Sequence, residues 1–293
     1  MQFRTRISSK ARLAVSIPIA VALTVTGGSS VAIALRGARE STTIDGGTFG
    51  TARAQCPGRR TIVSGGFAAP GFNPNAGPTV GRLGSKPVSK RGIEARALNF
   101  SNTAGDLVSF AYCAAQDHGL RLRSATIRVE PFTKGSVVAR CPRGTEALGG
   151  GFATWKFDPS QGPQVLTLTS KRTGERGWKV VGVNIPPNSG PGHAGTLVAY
   201  AYCEAAPFRL LTKSKEVTPA NGALQTFDVR CPQGSRAFSG GFDGHVKIQG
   251  NQSTATATVT SRRALAGRVW RSSALSVFGN PGSATAYAYC RER

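Results

Sequence analysis

One stretch occurs three times in this chain of 293 residues, and it limits the fold more than any other feature. The copies run from Cys56-Pro57-Gly58 to Gly65-Gly66-Phe67, from Cys141-Pro142-Arg143-Gly144 to Gly149-Gly150-Gly151-Phe152, and from Cys231-Pro232-Gln233-Gly234 to Gly240-Gly241-Phe242. Each is answered downstream by an aromatic-Ala-Tyr-Cys tetrad, Phe110 to Cys113, Tyr200 to Cys203 and Tyr287 to Cys290. The segments Cys113–Cys141 and Cys203–Cys231 each enclose 27 residues and carry strand-like sequence, so they belong to the repeats and are not linkers. The organisation expected is an N-terminal segment over residues 1–34 and three repeats over 35–119, 120–209 and 210–293.

All six cysteines fall in the repeats, two per copy. An even, periodic set in an exported chain reads as disulfides. Treating the copies alike favours Cys56–Cys113, Cys141–Cys203 and Cys231–Cys290, with a cyclic exchange between neighbouring copies as the open alternative. The scarcity of His and the lack of Cys-x-x-Cys argue against a metal site, and no cofactor is expected.

Export is indicated at the N-terminus. Arg4, Arg6, Lys10 and Arg12 precede the apolar run Leu13 to Thr26, and Ala32-Ile33-Ala34 follows as a small-x-small cleavage site. Cleavage after Ala34 would release a secreted protein. The run 13–35 is also long enough to anchor the chain at a cell surface, the only membrane association foreseen.

Within a repeat, apolar and hydroxyl residues alternate, as in Val165-Leu166-Thr167-Leu168-Thr169-Ser170, which is the period of a half-buried strand. An all-β fold of short antiparallel strands follows. The spacing predicts a hairpin across Pro131 to Gly135, a turn on Cys141-Pro142-Arg143-Gly144 with Pro second and Gly fourth, and a bulge or corner at the Gly run. Three copies closing into one body would remove sheet edges, so a three-fold β-prism-like arrangement is expected, with three small β-sandwich domains in tandem as the alternative. The Cys-Pro-x-Gly, Gly-Gly-Phe and Tyr-x-Cys pattern resembles a repeat of secreted bacterial proteins without assigned function. More faintly, it resembles the vitelline membrane outer layer family, although the period here is longer. That second resemblance implies a three-fold β-prism and carries no functional residue across.

Net charge is +23. An excess of this size favours polyanions. The cations recur with the repeat, in basic turns 18, 18 and 19 residues after the Phe: Ser85-Lys86, Ser170-Lys171-Arg172 and Ser261-Arg262-Arg263. Lys90 and Arg91, Arg176 and Arg268 follow, then Trp178 and Trp270, with Ile93 in the first copy. Such turns could meet an anionic polysaccharide or a phosphate polymer, with Arg as a fork and Lys as a point charge. No specific nucleic-acid motif is present. No copy carries an acid, base or nucleophile constellation, so enzyme activity is not expected. Gly144 to Gly149 lacks the Lys-Ser/Thr of a phosphate loop. The expected function is a secreted, non-enzymatic binder of anionic envelope or matrix polymers. A structural or adhesive surface protein using the Tyr faces is the alternative, and a secreted hydrolase the third reading.

Overall fold

The computed structural model of the chain describes residues 36–73, 79–114, 120–155, 165–185, 193–205, 209–247, 254–264, 267–277 and 282–292. The N-terminal basic and apolar run and His118 lie outside these residues. Everything described belongs to one compact unit. It is all-β and contains no helix among the described residues.

The first repeat supplies β1 (Arg36–Ile44), β2 (Phe49–Gln55), β3 (Thr61–Ala68), β4 (Val80–Pro87), β5 (Gly92–Asn99) and β6 (Gly105–Ala114). The second supplies β7 (Arg121–Val129), β8 (Lys134–Arg140), β9 (Thr145–Trp155), β10 (Val165–Thr173), β11 (Gly177–Asn184) and β12 (Gly195–Ala205). The third supplies β13 (Leu210–Val217), β14 (Leu224–Arg230), β15 (Ser235–Gly244), the short β16 (Val246–Lys247), β17 (Thr254–Arg263), β18 (Val269–Val277) and β19 (Ala284–Glu292). They form three antiparallel sheets, ordered β1-β6-β3-β17-β18-β14, β2-β5-β4-β9-β12-β7 and β13-β19-β15-β10-β11-β8, with β16 added beside β17.

Every sheet is therefore shared between two repeats. Each repeat gives its first, third and last strands to one sheet and the others to the next. The halves meet at joins only one or two residue pairs long: Ser85 opposite Phe152, Ser170 opposite Phe242, and Ser261 opposite Phe67. The tandem arrangement of separate sandwiches is thus not what forms. The hairpin expected across Pro131 to Gly135 does not form either, because β7 pairs with β12 while β8 pairs with β11 in another sheet. The segment is a corner between sheets, clamped where the Asn184 amide donates to Val129 O at 3.0 Å and His193 O at 2.9 Å. Asn99 does the same in the first repeat, donating to Ile44 O and Thr103 O.

The disulfides pair within each copy: Cys56–Cys113, Cys141–Cys203 and Cys231–Cys290. Each joins the residue after a strand of one sheet to a strand of another, so the three bonds tie the three sheets in a ring. On the chain-entropy model, closing loops of 57, 62 and 59 residues stabilises the fold by roughly 4 kcal/mol each.

At the centre, Phe67 and Phe152 both meet Phe242 edge-on, with ring centroids 6.2 and 5.8 Å away. The bulge expected near the Gly run lies at its front edge, where the register of β9 against β12 slips between Ala147 and Gly149. The same slip recurs at Val63 and Phe238. It turns Ser64 Oγ onto Phe238 O at 2.7 Å and Ser239 Oγ onto Leu148 O. The third member of this ring is Gly149, whose added Cβ would lie 3.5 Å from Val63 O. The Cys-Pro turns are shifted by one residue from the expected frame. Thr145 N–H donates to Pro142 O, which places Gly144 third in the turn at φ 76°. In the first copy Arg60 N–H donates to Pro57 O, and Gly58 is second at φ 58°.

Candidate functional site

The basic turns lie where β4, β10 and β17 cross from one repeat onto the next. The structure divides their cations into three groups with different work.

The outermost group is structural. The Arg91 guanidinium donates to Cys56 O at 2.9 Å, Arg176 to Cys141 O at 2.8 and 3.1 Å, and Arg268 to Cys231 O at 3.3 Å. In return, the carbonyls of these arginines accept from the same cysteines' N–H groups at 2.7, 2.8 and 2.8 Å. The hairpin tip is thereby tied to the Cys-Pro turn of its own repeat. The neighbouring Lys90 is exposed, and its carbonyl accepts from Ile62 N–H at 3.0 Å. Trp178 and Trp270 are core residues, each 1% exposed, with Nε1 donating to Ser170 and Ser261 Oγ at 2.9 Å. Each ring lies over the middle Gly of its own repeat, where a Cβ on Gly150 or Gly240 would fall 2.3 Å from the indole. Contact with a surface ligand is closed to both.

The second group sits on the aromatic tetrads. The backbone N–H of Arg172 donates to Tyr289 Oη at 2.7 Å, and that of Arg263 to Tyr112 Oη at 2.6 Å. The Arg263 guanidinium stacks 4.4 Å above the Tyr112 ring, and Arg262 lies 5.5 Å above Phe110. Lys171 lies 5.1 Å over Tyr287 and is paired with Asp243. Burial works against the Lys171 charge, but the Asp243 carboxylate outweighs it and holds the amine above its usual range. Arg172 donates to Glu146 at 2.8 Å and to Glu175 O at 2.9 Å. At the first join Lys86 lies 3.6 Å from Glu94, which also takes Arg53 at 2.9 Å. Tyr112, Tyr202 and Tyr289 are buried, whereas Phe110, Tyr200 and Tyr287 are half-buried beneath the turns. Burial raises the phenols of all three deep tyrosines, Tyr112 to about 12, so they remain neutral.

Of the third group only Lys171 was singled out from the sequence. A cleft of about 460 Å³ crosses the sheet that joins the second and third repeats. Lys134, Lys171 and Lys179 line it, with His245, Asp243 and the hydroxyls of Ser136, Thr169, Ser283 and Thr285. Lys134 and Lys179 come from β8 and β11, which the fold lays side by side with β10. The signal available in the sequence was alternation: Lys179 stands opposite Lys171 across a hairpin, on the same sheet face. His245 belongs to this cleft, and His193 does not. The central void where the repeats meet holds only about 20 Å³, room for about one water.

Asn99, the first residue of one Asn-x-Ser sequon, is fully buried and serves as a corner clamp, so this fold offers no glycan site there. Asn251 lies outside the described residues. The chain matches no protein-family model and no curated protein. Three formed disulfides are compatible with an extracellular protein.

Proposed function

We propose that the protein is a secreted, non-enzymatic binder of anionic polymers, either acidic polysaccharide or phosphate polymer. The reading includes export through the apolar N-terminal segment, with cleavage after Ala34. The observation that carries it is the cleft: three lysines against one carboxylate, among four hydroxyl side chains, on one sheet. Lysines supply point charges to sulfate, phosphate or carboxylate groups, and hydroxyls suit sugar or phosphate oxygens. Lys171 is oriented by Asp243, while Lys134 and Lys179 have no ion-pair partner among the described residues. The net charge of +23, less the four cations of residues 1–34 once that segment is removed, would still speed the approach of a polyanion. The aromatic tetrads lend less support to an adhesive surface, since the Tyr beside the Cys in each is buried.

The test is binding to a uronate polymer and to inorganic polyphosphate at two salt concentrations, for wild type and for Lys134→Gln/Lys179→Gln. Affinity should fall as salt rises, and the double variant should bind about tenfold more weakly at low salt. Unchanged binding in the variant, or binding indifferent to salt, overturns the reading.

A further inference from the structure

The three joins share one backbone frame, and two of them carry their own counter-charges. Where β10 meets β15, Asp243 takes Lys171 and Glu146 takes Arg172. Where β4 meets β9, Glu94 faces Lys86, and Pro87 stands in place of a second cation. Where β17 meets β3, the cations are two arginines, Arg262 and Arg263. The residue that follows Phe67, matching Asp243 after Phe242, is Ala68. The residue matching Glu146 on β9 is Arg236 on β15, five positions after its cysteine as Glu146 is. Both carboxylates that serve the sister join are therefore replaced, one by a methyl group and one by a cation.

The reversal extends to the neighbouring strand. Glu146 stands opposite Glu204 in register, and Arg236 stands opposite Arg291. Like charges directly opposite repel unless something of the other sign intervenes. Burial pushes the Glu204 carboxyl up to about 7, with Arg291 pulling partly back. Burial likewise works against the Arg263 charge, and the like charge of Arg236 adds to it. Tyr112 stays protonated and supplies no counter-charge. Among the described residues no carboxylate takes Arg262, Arg263 or Arg236. The two guanidiniums are nonetheless ordered, stacked on Phe110 and Tyr112, with the Arg263 backbone fixed by the Tyr112 hydroxyl. A half-buried, pre-oriented arginine without an acid is a seat for an oxyanion, because a planar fork matches two oxygens and little order is left to impose.

We propose that the join of β17 with β3 is a second anion seat, in which Arg262 and Arg263 hold a carboxylate or phosphate group from outside the chain, where the sister join holds Asp243 and Glu146. This deepens the proposed function and rests on it: the seat would grip one acidic group of the polymer while the lysine cleft follows its length.

The sister join supplies the test. Ala68→Asp/Arg236→Glu gives this join the carboxylates of the other one. Titration calorimetry at low salt would use a short oligouronate and, in parallel, inorganic tripolyphosphate, so that the two anion sources are separated. The expected result is that whichever anion binds wild type binds the double variant at least tenfold more weakly, while Lys213→Gln/Lys215→Gln, which removes two exposed charges on β13 outside both sites, leaves that short-probe affinity within about twofold. If the double variant does not fold, Arg236→Glu alone makes the same test with a smaller loss. In the converse change, Asp243→Ala/Glu146→Ala should open a second seat and raise the stoichiometry from one to two. Short-probe binding that survives Arg236→Glu but is lost in Lys134→Gln/Lys179→Gln overturns the seat and leaves the proposed function standing. No binding of either anion or of the polymers to wild type overturns both.

Discussion

The first join, β4 to β9, differs from the other two in a way that separates what the fold requires from what it tolerates. In the second and third repeats a Trp covers the middle Gly, and an Arg N–H reaches a buried Tyr hydroxyl. In the first repeat Ile93 replaces the Trp, and Pro87 replaces the Arg. Pro has no N–H to give, so Tyr202, the counterpart of Tyr112 and Tyr289, has no hydrogen-bond partner among the described residues. The strand pairing, the Phe at the join and the disulfide persist regardless. Backbone pairing and apolar contact thus hold the three-part frame, while the polar contacts laid over it vary from join to join.

The packing half of that contrast carries the largest expected effect. A Cβ at Gly240 would sit 2.3 Å from the Trp270 ring, and one at Gly65 would sit 3.0 Å from an Ile93 methyl. Gly240→Ala should cost about 3 kcal/mol and Gly65→Ala about 1, since an Ile side chain can give way and a buried indole cannot. The measurement is denaturant unfolding with disulfides intact. In a Trp270→Ile background, Gly240→Ala should fall towards the Gly65 value. Equal costs at the two glycines would mean that the indole does not set the need for Gly.

The polar half carries a smaller effect. Tyr112→Phe and Tyr289→Phe strand the N–H groups of Arg263 and Arg172, and each should lose about 1–2 kcal/mol. Tyr202→Phe strands nothing and should change stability by less than about 0.5 kcal/mol. The same unfolding assay decides it, and a loss at Tyr202 matching the other two would remove the distinction between the joins.

How much of this was legible in the sequence follows from the same physics. The strands and the disulfide pairs came through because period-2 alternation and Cys spacing are local or repeated signals. The sharing of sheets between repeats did not. Sequence around Pro131 specifies a reversal, but not whether the strands on either side stay in one sheet. That is decided by Asn184, which clamps the corner from 50 residues or so away in the chain, as its bond to Val129 shows. The basic turns were visible as charges, yet their partners were not. Arg91, Arg176 and Arg268 look like ligand residues until Cys56, Cys141 and Cys231 are seen beneath them. Trp178 and Trp270 look like an aromatic rim until Gly150 and Gly240 make room for them in the core. The lysine cleft needed three strands that lie side by side only in the folded sheet.

The smallest expected effect tests the symmetry at its centre. Ser64 donates to the third repeat's Phe238, and Ser239 to the second repeat's Leu148, but Gly149 offers nothing to Val63. Gly149→Ser would close the ring. Its Cβ would lie 3.2 and 3.3 Å from the Cβ atoms of Ser239 and Ser64, tight but within the small give of side chains, and 3.5 Å from Val63 O. One further buried hydrogen bond, less the strain of fitting it, should leave a gain of about 0.5 kcal/mol. Gly149→Ala adds the crowding without the bond and should be the less stable of the two. If alanine equals or exceeds serine, the two hydroxyls already present do not act as parts of a three-fold ring, and the frame is held by apolar packing alone.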